Sequence, residues 1–242
     1  MALPETQQQQ NFTGQIWAQF FDQLVQFFST GDYKDEILKA KEIFFEKLGR
    51  SHELQESYYE SVSQSFLEWY IYDYHLSKHE KSPAIVFLSL KMGREEEREL
   101  LKKTLFHHWS LFRVEEFSKD VIVLEDLLFR HKRTLRVDSK AAHFSAWKVK
   151  KNQIIQARLF CAEEAGHFWV THLWLHPESE YKLLKVLCQN LIGKWGLHRE
   201  FLRHCLECLV RSFGLQDQMA AVRAQNWIYQ ELKKRYAQKS GH

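Results

Sequence analysis

The spacing of apolar residues changes twice along this chain, and these changes constrain the fold more than any other feature. From residue 16 to about residue 108, apolar side chains recur every three or four residues, as in amphipathic helices. From Trp109 to Pro177 the period shortens to two, in five runs rich in β-branched and aromatic residues. After Pro177 the helical period returns. The pattern predicts an α+β protein with N-terminal helices, a central five-stranded antiparallel meander or small barrel, and C-terminal helices.

The same pattern divides the chain into three parts. They are a helical part at residues 1–108, a β part at residues 109–177 and a second helical part at residues 178–242. The chain contains only three prolines and nine glycines, and no linker rich in proline, glycine or serine separates the parts. We therefore expect the three parts to form one continuous structure.

The N-terminal residues and the cysteines indicate a cellular compartment. The opening stretch MALPETQQQQNFTG lacks the basic and then apolar pattern of a signal peptide, and no apolar run is long enough to cross a membrane. Four cysteines, too few for a disulfide scaffold in this length, lie in apolar surroundings: Cys161, Cys188, Cys205 and Cys208. We expect a cytoplasmic protein without a membrane span, whose cysteines are reduced core residues.

The net charge of +3 conceals a strong asymmetry along the chain. Residues 1–100 carry 10 Lys/Arg and 17 Asp/Glu, whereas the stretch from Arg130 to Arg158 carries nine basic residues and one acid, Asp138. The residues predicted to bind a partner are Arg130, Lys132, Arg133, Arg136, Lys140, Lys148, Lys150 and Lys151. A surface of this charge suits an acidic protein or a phosphate-bearing ligand, and a nucleic acid or nucleotide is the alternative.

No motif for catalysis accompanies this basic segment. The chain contains no HExxH, GxSxG, Walker loop or glycine-rich dinucleotide fingerprint. The sequence therefore favours a non-catalytic interaction or regulatory module that needs no cofactor. A metal-dependent enzyme whose site is not visible in the sequence is the second alternative.

Histidines and cysteines provide the candidates for a metal site. Those that lie closest together are His204, Cys205 and Cys208, with Cys188 and His198 upstream. Because the cysteines fall within an apolar helical stripe, we interpret them as core residues and predict no metal site. His172 and His176 flank Trp174 on one face of the last predicted strand, and we expect both to be satisfied or surface histidines.

The stretch SFLEWYIYDYHL places two carboxylates among aromatic residues. At about 100° per residue, one helical stripe contains Leu54, Tyr58, Val62, Phe66, Trp69 and Leu76. Asp73 falls inside this stripe, whereas Glu68 falls at its solvent border. Because an unpaired buried carboxylate is costly, we expect a structural pair between Asp73 and Arg113 or Arg158, in preference to a catalytic role.

Several segments in order resemble those of a set of uncharacterised bacterial proteins. The segments are EWYIYDYHL, SPAIVFL, SLFRVEEF, VIVLEDLL, LRVDS and VKKNQIIQARLF, within residues 60–175. Proteins of that set join a helix carrying Trp and an Asp-Tyr pair to a short β meander, and many end in a zinc-binding SEC-C tail. The resemblance implies a cytosolic bacterial protein and brings no activity. Residues 178–242 lack the cysteine-rich SEC-C signature, so zinc binding through such a tail is not implied.

Overall fold

The computed structural model describes ten stretches of the chain, which together form two compact units. The described residues are 17–48, 56–118, 121–130, 132–136, 149–161, 167–170, 173–191, 197–213, 227 and 229–236. Unit 1 comprises Met1–Phe44 and Ser63–Phe106, and unit 2 comprises Phe45–Val62 and His107–His242. The predicted α+β class is confirmed. Among the described residues, no helix has the length and apolar character of a membrane span.

Among the described residues up to Leu105, the regular elements are helices, as the apolar period predicted. They are α1 at residues 17–27, α2 (Lys34–Leu48), α3 (Glu56–Tyr72), α4 (Pro83–Ser89) and α5 (Glu95–Leu105). The face that α1 buries consists of Trp17, Phe20, Phe21 and Leu24, at the spacing of one helical stripe. Glutamates occupy the first turn of α5 and lysines its last turn, which suits the helix dipole.

Aromatic hydroxyls and one carboxylate fix the packing of unit 1. The Tyr70 side chain is fully buried, and its hydroxyl donates to the Phe28 carbonyl at 2.6 Å. The Glu36 carboxylate of α2 accepts from the Tyr74 hydroxyl at 2.9 Å and from the Ser77 backbone N–H at 3.1 Å. These bonds attach α2 to the segment that follows α3. Burial and the contact with Glu36 raise the pKa of Tyr74 to about 12, so its hydroxyl keeps its proton.

Unit 2 contains a six-stranded sheet. The strands are β1 (His107–Phe117), β2 (Val121–Asp126), β3 (Lys132–Arg136), β4 (Ile154–Cys161), β5 (His167–Trp169) and β6 (Leu173–Leu175). Their order is β1-β2-β3-β5-β4-β6, and β1 also pairs with β4. All pairs are antiparallel except β3 with β5, which is parallel. The predicted five-stranded, wholly antiparallel meander is therefore wrong in its strand count and in one pairing.

The extra strand arises from a break in the last predicted run, HFWVTHLWLH. Both β5 and β6 pair with β4, but the register between them changes by one residue. Phe160 lies opposite Trp169, whereas Ala157 lies opposite Leu173, so four residues on one strand correspond to three on the other. An additional residue of this kind interrupts a ladder in the manner of a β-bulge. Alternation within a single strand does not reveal such a break.

The first strand is long enough to serve two neighbours. His107 to Arg113 pair with β4, and Phe112 to Phe117 pair with β2, with a register irregularity between Val114 and Glu116. Its buried residues contribute to two core clusters. One cluster is formed by Phe112, Val114, Ile122, Leu124, Val149, Ile155, Ala157, Leu159, Val170 and Leu173.

The other core cluster joins the strands to three C-terminal helices, α6 (Tyr181–Leu191), α7 (His198–Phe213) and α8 at residues 229–236. The strands and the β2–β3 turn contribute Leu111, Leu128 and Ile154. The helices contribute Leu184, Leu187, Cys188, Leu191, Phe201, Leu202, Cys205, Tyr229, Leu232 and Tyr236. The helical period predicted after Pro177 is thus confirmed for α6 and α7 where the structure describes them.

Candidate anion-binding surface

The described residues of the basic segment 130–158 lie at exposed positions, in strand β3 and in the protein interior. Arg130, Lys150 and Lys151 are exposed. Lys132, Arg133 and Arg136 belong to β3, and Lys140 and Lys148 lie outside the described residues. The ninth basic residue, Arg158, is only 5% exposed, and its guanidinium carbon lies 5.4 Å from the centre of the Trp109 ring. Arg158 is therefore an interior residue that packs against an aromatic face.

The first exposed cation is carried by residues 127–130, here termed turn A. The Arg130 N–H donates to the Asp126 carbonyl at 2.9 Å, which closes the turn, and Arg130 has a φ of 56°. The Asp126 carboxylate accepts the N–H groups of Leu128 at 2.9 Å and of Phe129 at 3.0 Å through Oδ1. A carboxylate that binds the backbone two and three residues ahead fixes the local conformation. Arg130 thus lies at the end of a turn whose backbone conformation is fixed by hydrogen bonds to Asp126.

The other two exposed cations are carried by residues 150–153, here termed turn B. The Gln153 side chain accepts the Lys150 N–H at 2.6 Å through Oε1, and the Gln153 N–H donates back to the Lys150 carbonyl at 3.2 Å. Asn152 has a φ of 68°, a conformation that Asn tolerates better than most residues, and its N–H donates to the Val114 carbonyl at 2.8 Å. Turn B therefore presents Lys150 and Lys151 from a hydrogen-bonded loop.

The two turns lie toward opposite ends of β1. The Leu127 N–H of turn A donates to the Leu111 carbonyl at 2.9 Å, so turn A extends toward the start of the strand. Turn B is bound to Val114 and extends toward its end. Three residues of an extended strand separate these two anchor points by about 10 Å. The exposed residue Arg130 and the exposed pair Lys150 and Lys151 therefore lie at two separate positions along β1.

The register of β3 divides its three basic residues between two rows of the sheet. Lys132 is paired with Glu125 and Arg136 with Val121, which are half-exposed positions of β2. Arg133 is paired with Leu124, a buried position, and so does not share the row of the other two.

The basic side chains of the sheet and its turns differ in whether they form ion pairs with acidic side chains. The Arg113 guanidinium binds the Glu115 carboxylate (Nη2 to Oε1, 3.1 Å) and the Glu125 carboxylate (Nη2 to Oε2, 2.5 Å). Arg130, Lys150 and Lys151 have no acidic partner among the residues that the structure describes. These three cations therefore offer positive charge that no acidic side chain of the described residues compensates.

The two carboxylates of SFLEWYIYDYHL have the opposite burial to the one expected. Glu68 is only 3% exposed, whereas Asp73 is half-buried. The count of 100° per residue failed for both carboxylates, because contacts with other elements decide which part of the surface of α3 is buried. Asp73 belongs to unit 1, and Arg113 and Arg158 belong to unit 2. The pairing of Asp73 with either arginine stays a prediction.

The buried carboxylate of Asp126, beside turn A, was not among the site residues predicted from the sequence. The Asp126 side chain is fully buried, accepts the Ser110 hydroxyl at 2.8 Å through Oδ1 and binds His108 Nε2 through Oδ2. The rings of Phe112 and Phe129 lie 5.9 Å and 4.9 Å from the His108 ring, centre to centre. The available signal was an aspartate at the end of a predicted strand, directly before a turn. Its pairing with His108 depends on strand register and has no sequence motif.

Histidines and cysteines elsewhere have packing roles. Cys188 and Cys205 are buried thiols outside any disulfide, as predicted, and burial together with the nearby Asp126 carboxylate raises the pKa of the Cys188 thiol. His176 is buried and hydrogen-bonded, which confirms the expectation of a satisfied histidine. His172 and the side chains of Cys161 and Cys208 lie outside the described part of the chain. Within that part, no three His, Cys, Asp or Glu side chains are grouped so as to hold a metal ion.

Comparison with known proteins places the chain in a family. Residues 30–196 match the model of a family of unknown function, DUF7986. This region exceeds half of the 242 residues and includes α2 to α6 and all six strands. No curated protein and no solved structure was found to match the chain. The chain therefore belongs to DUF7986, a family of unknown function.

Proposed function

We propose that this chain is a non-catalytic interaction or regulatory module that binds an acidic protein or a phosphate-bearing partner through basic residues of the segment 130–158. One observation carries the proposal: Arg130, Lys150 and Lys151 are exposed and have no acidic partner among the described residues. Arg113, by contrast, is neutralised by two glutamates. Uncompensated surface cations are what attracts a polyanion and accelerates its association.

The arrangement of the turns favours an extended partner. Turn A and turn B are each closed by backbone hydrogen bonds, so their cations are presented with little loss of backbone freedom on binding. Because the two turns leave β1 in opposite directions, a single small anion cannot contact both. A chain with repeated negative charge, such as a nucleic acid or an acidic protein segment, can contact both.

A charge-reversal experiment tests the function. The triple variant Arg130→Glu, Lys150→Glu and Lys151→Glu is compared with a control, Lys34→Glu, Lys78→Glu and Lys81→Glu, which changes exposed lysines of unit 1 by the same total charge. Tagged proteins are used to capture partners from the native cell extract with and without nuclease. We expect the triple variant to lose partners that the wild type and the control retain. Equal capture by all three proteins would refute the proposal.

The salt dependence of binding identifies the class of partner. Each phosphate contact releases condensed counterions, so a partner with phosphates gives a logarithmic affinity that falls steeply and linearly with the logarithm of salt concentration. Removing one contact reduces that slope by about 0.9 for duplex DNA and about 0.7 for a single strand. Affinities are measured for a labelled single-stranded oligonucleotide and for a poly-glutamate peptide. Stronger binding of the peptide would select the acidic protein as the partner.

Three further features belong to the proposal. A cytosolic setting is supported by Cys188 and Cys205, which are buried as thiols and not joined in a disulfide. A bacterial origin is implied by the resemblance to uncharacterised bacterial proteins. A small closed barrel is supported by the pairing of β1 with β4 as well as with β2, since strand pairs then run from β1 through β2, β3, β5 and β4 back to β1.

A further inference from the structure

We propose that turn A and His108 form a binding site for a phosphate group, in which protonated His108 donates a hydrogen bond from Nδ1 and Arg130 supplies the second donor. The inference rests on the proposed function and deepens it, because it names the recognised group and the position where it binds. The ligand class is a tetrahedral oxyanion carried by a nucleotide or present as free phosphate.

The first step concerns the fixed base of the site. The Asp126 side chain is fully buried and accepts four hydrogen bonds, from Ser110, two backbone N–H groups of turn A and His108. Four donors offset the cost of removing a carboxylate from water. The Asp126 carboxylate therefore links β1, β2 and turn A through its hydrogen bonds.

The second step concerns the orientation of His108. The carboxylate of Asp126 accepts hydrogen bonds, so His108 Nε2 carries a hydrogen and Nδ1 is the other ring nitrogen. Contacts with Phe112 and Phe129 hold the ring in place, and 24% of the side chain stays exposed. No described residue forms a hydrogen bond with Nδ1. Nδ1 is thus the ring atom that a ligand can reach.

The third step brings Arg130 to the same place. The Phe129 ring lies 4.9 Å from the His108 ring, centre to centre, and Arg130 is the next residue in the chain. Its backbone N–H is bound to the carbonyl of the same Asp126 that holds His108. Arg130 is exposed, and its guanidinium can reach an oxyanion that His108 contacts. Turn A therefore carries the second donor of the proposed site.

Proton uptake follows from this chemistry. Neutral His108 presents a lone pair at Nδ1, which repels an oxyanion, whereas protonated His108 presents an N–H and a positive charge. An oxyanion therefore binds the protonated form of His108 in preference, and binding should strengthen as the pH falls. Other groups near the site are Ser110, which is neutral, Cys188, whose thiol stays protonated, and His198, whose ring packs on Phe129.

The test uses sulfate, whose charge does not change in the relevant range, and inorganic phosphate. Ring-carbon NMR of histidine-labelled protein follows binding, and the His108 signal is assigned by its loss in His108→Gln. We expect tens of millimolar sulfate to shift the His108 signal, with tighter binding at pH 5.5 than at pH 8. Arg130→Gln should weaken binding at both pH values. His75→Gln, at an exposed histidine of unit 1, is the control.

The possible results distinguish a failure of the phosphate site from a failure of the proposed function. A His108 signal that ignores sulfate in the wild type, or a wild-type affinity for sulfate that is the same at pH 5.5 and pH 8, would overturn the phosphate site. Partner capture that still depends on Lys150 and Lys151 would then leave the function intact. Adenosine 5′-monophosphate is compared with inorganic phosphate to identify the source: tighter binding supports a nucleotide, and equal binding supports free phosphate at the same site.

Discussion

Lowering the pH should destabilise unit 2 through a single buried histidine. The Gln156 Nε2 donates to the Leu202 carbonyl at 2.8 Å, which fixes the orientation of the amide. The Gln156 Oε1 then accepts from His176 Nε2 at 3.2 Å, and His176 Nδ1 accepts the Tyr229 hydroxyl at 2.7 Å. In this series of hydrogen bonds each donor has one acceptor, and the arrangement requires His176 to be neutral.

The magnitude follows from the difference between the folded and unfolded states. Burial lowers the pKa of His176 from 6.5 to about 3. The unfolded chain therefore binds a proton below pH 6.5 that the folded protein does not, so stability is complete above that pH and falls as the pH decreases toward 3. At pH 5 the loss is about 2 kcal/mol, since each pH unit is worth about 1.4 kcal/mol.

The assay compares urea unfolding of the wild type and His176→Gln at pH 7.5 and pH 5. Glutamine does not titrate, so the variant should lose about 2 kcal/mol less than the wild type between the two conditions. His75→Gln, at an exposed position, should retain the full loss. A variant whose stability falls as much as that of the wild type would refute the assigned role of His176. Titration of the remaining histidines cancels in the comparison.

Further substitutions test other contacts by urea unfolding. Tyr70→Phe removes the hydroxyl bonded to a main-chain carbonyl and should cost about 1–2 kcal/mol; no loss would show that the bond is not stabilising. Gly93→Ala should cost about 2–4 kcal/mol, because φ is +69° and the new Cβ would lie 2.6 Å from the Phe87 ring. Gly31→Ala, with φ of +54° and no atom within 4 Å, isolates the backbone part and should cost about 1 kcal/mol. Asp126→Ala leaves four donors without their acceptor and should cost about 3 kcal/mol or more; a smaller loss would contradict its role in turn A.

Helices were the part of the fold most readable from the sequence. The stripe on α6, Leu184, Leu187, Cys188 and Leu191, follows a period that depends only on neighbours along the chain. The burial of Glu68 and the partial exposure of Asp73 could not be read from this period, because contacts with other elements decide which part of the surface of α3 is covered.

Strand partners were less readable, because register depends on residues far apart. Each run of alternating residues predicted a strand, yet nothing within HFWVTHLWLH indicates the change of register between Trp169 and Leu173. The parallel pair of β3 with β5 joins segments that are not consecutive. For the same reason, the basic segment could be identified by composition, whereas its division between turn A and turn B could not.

The buried thiol of Cys188 provides a measure of how often the core of unit 2 opens. Thiol reagents attack the thiolate, and burial beside Asp126 keeps this sulfur protonated in the folded state. Modification therefore requires that α6 separate from the strands, at a rate set by that opening equilibrium. Labelling of native protein by a thiol reagent reports these excursions without denaturant. A partner that stabilises unit 2 should slow the labelling, so the cysteine is an internal reporter of binding.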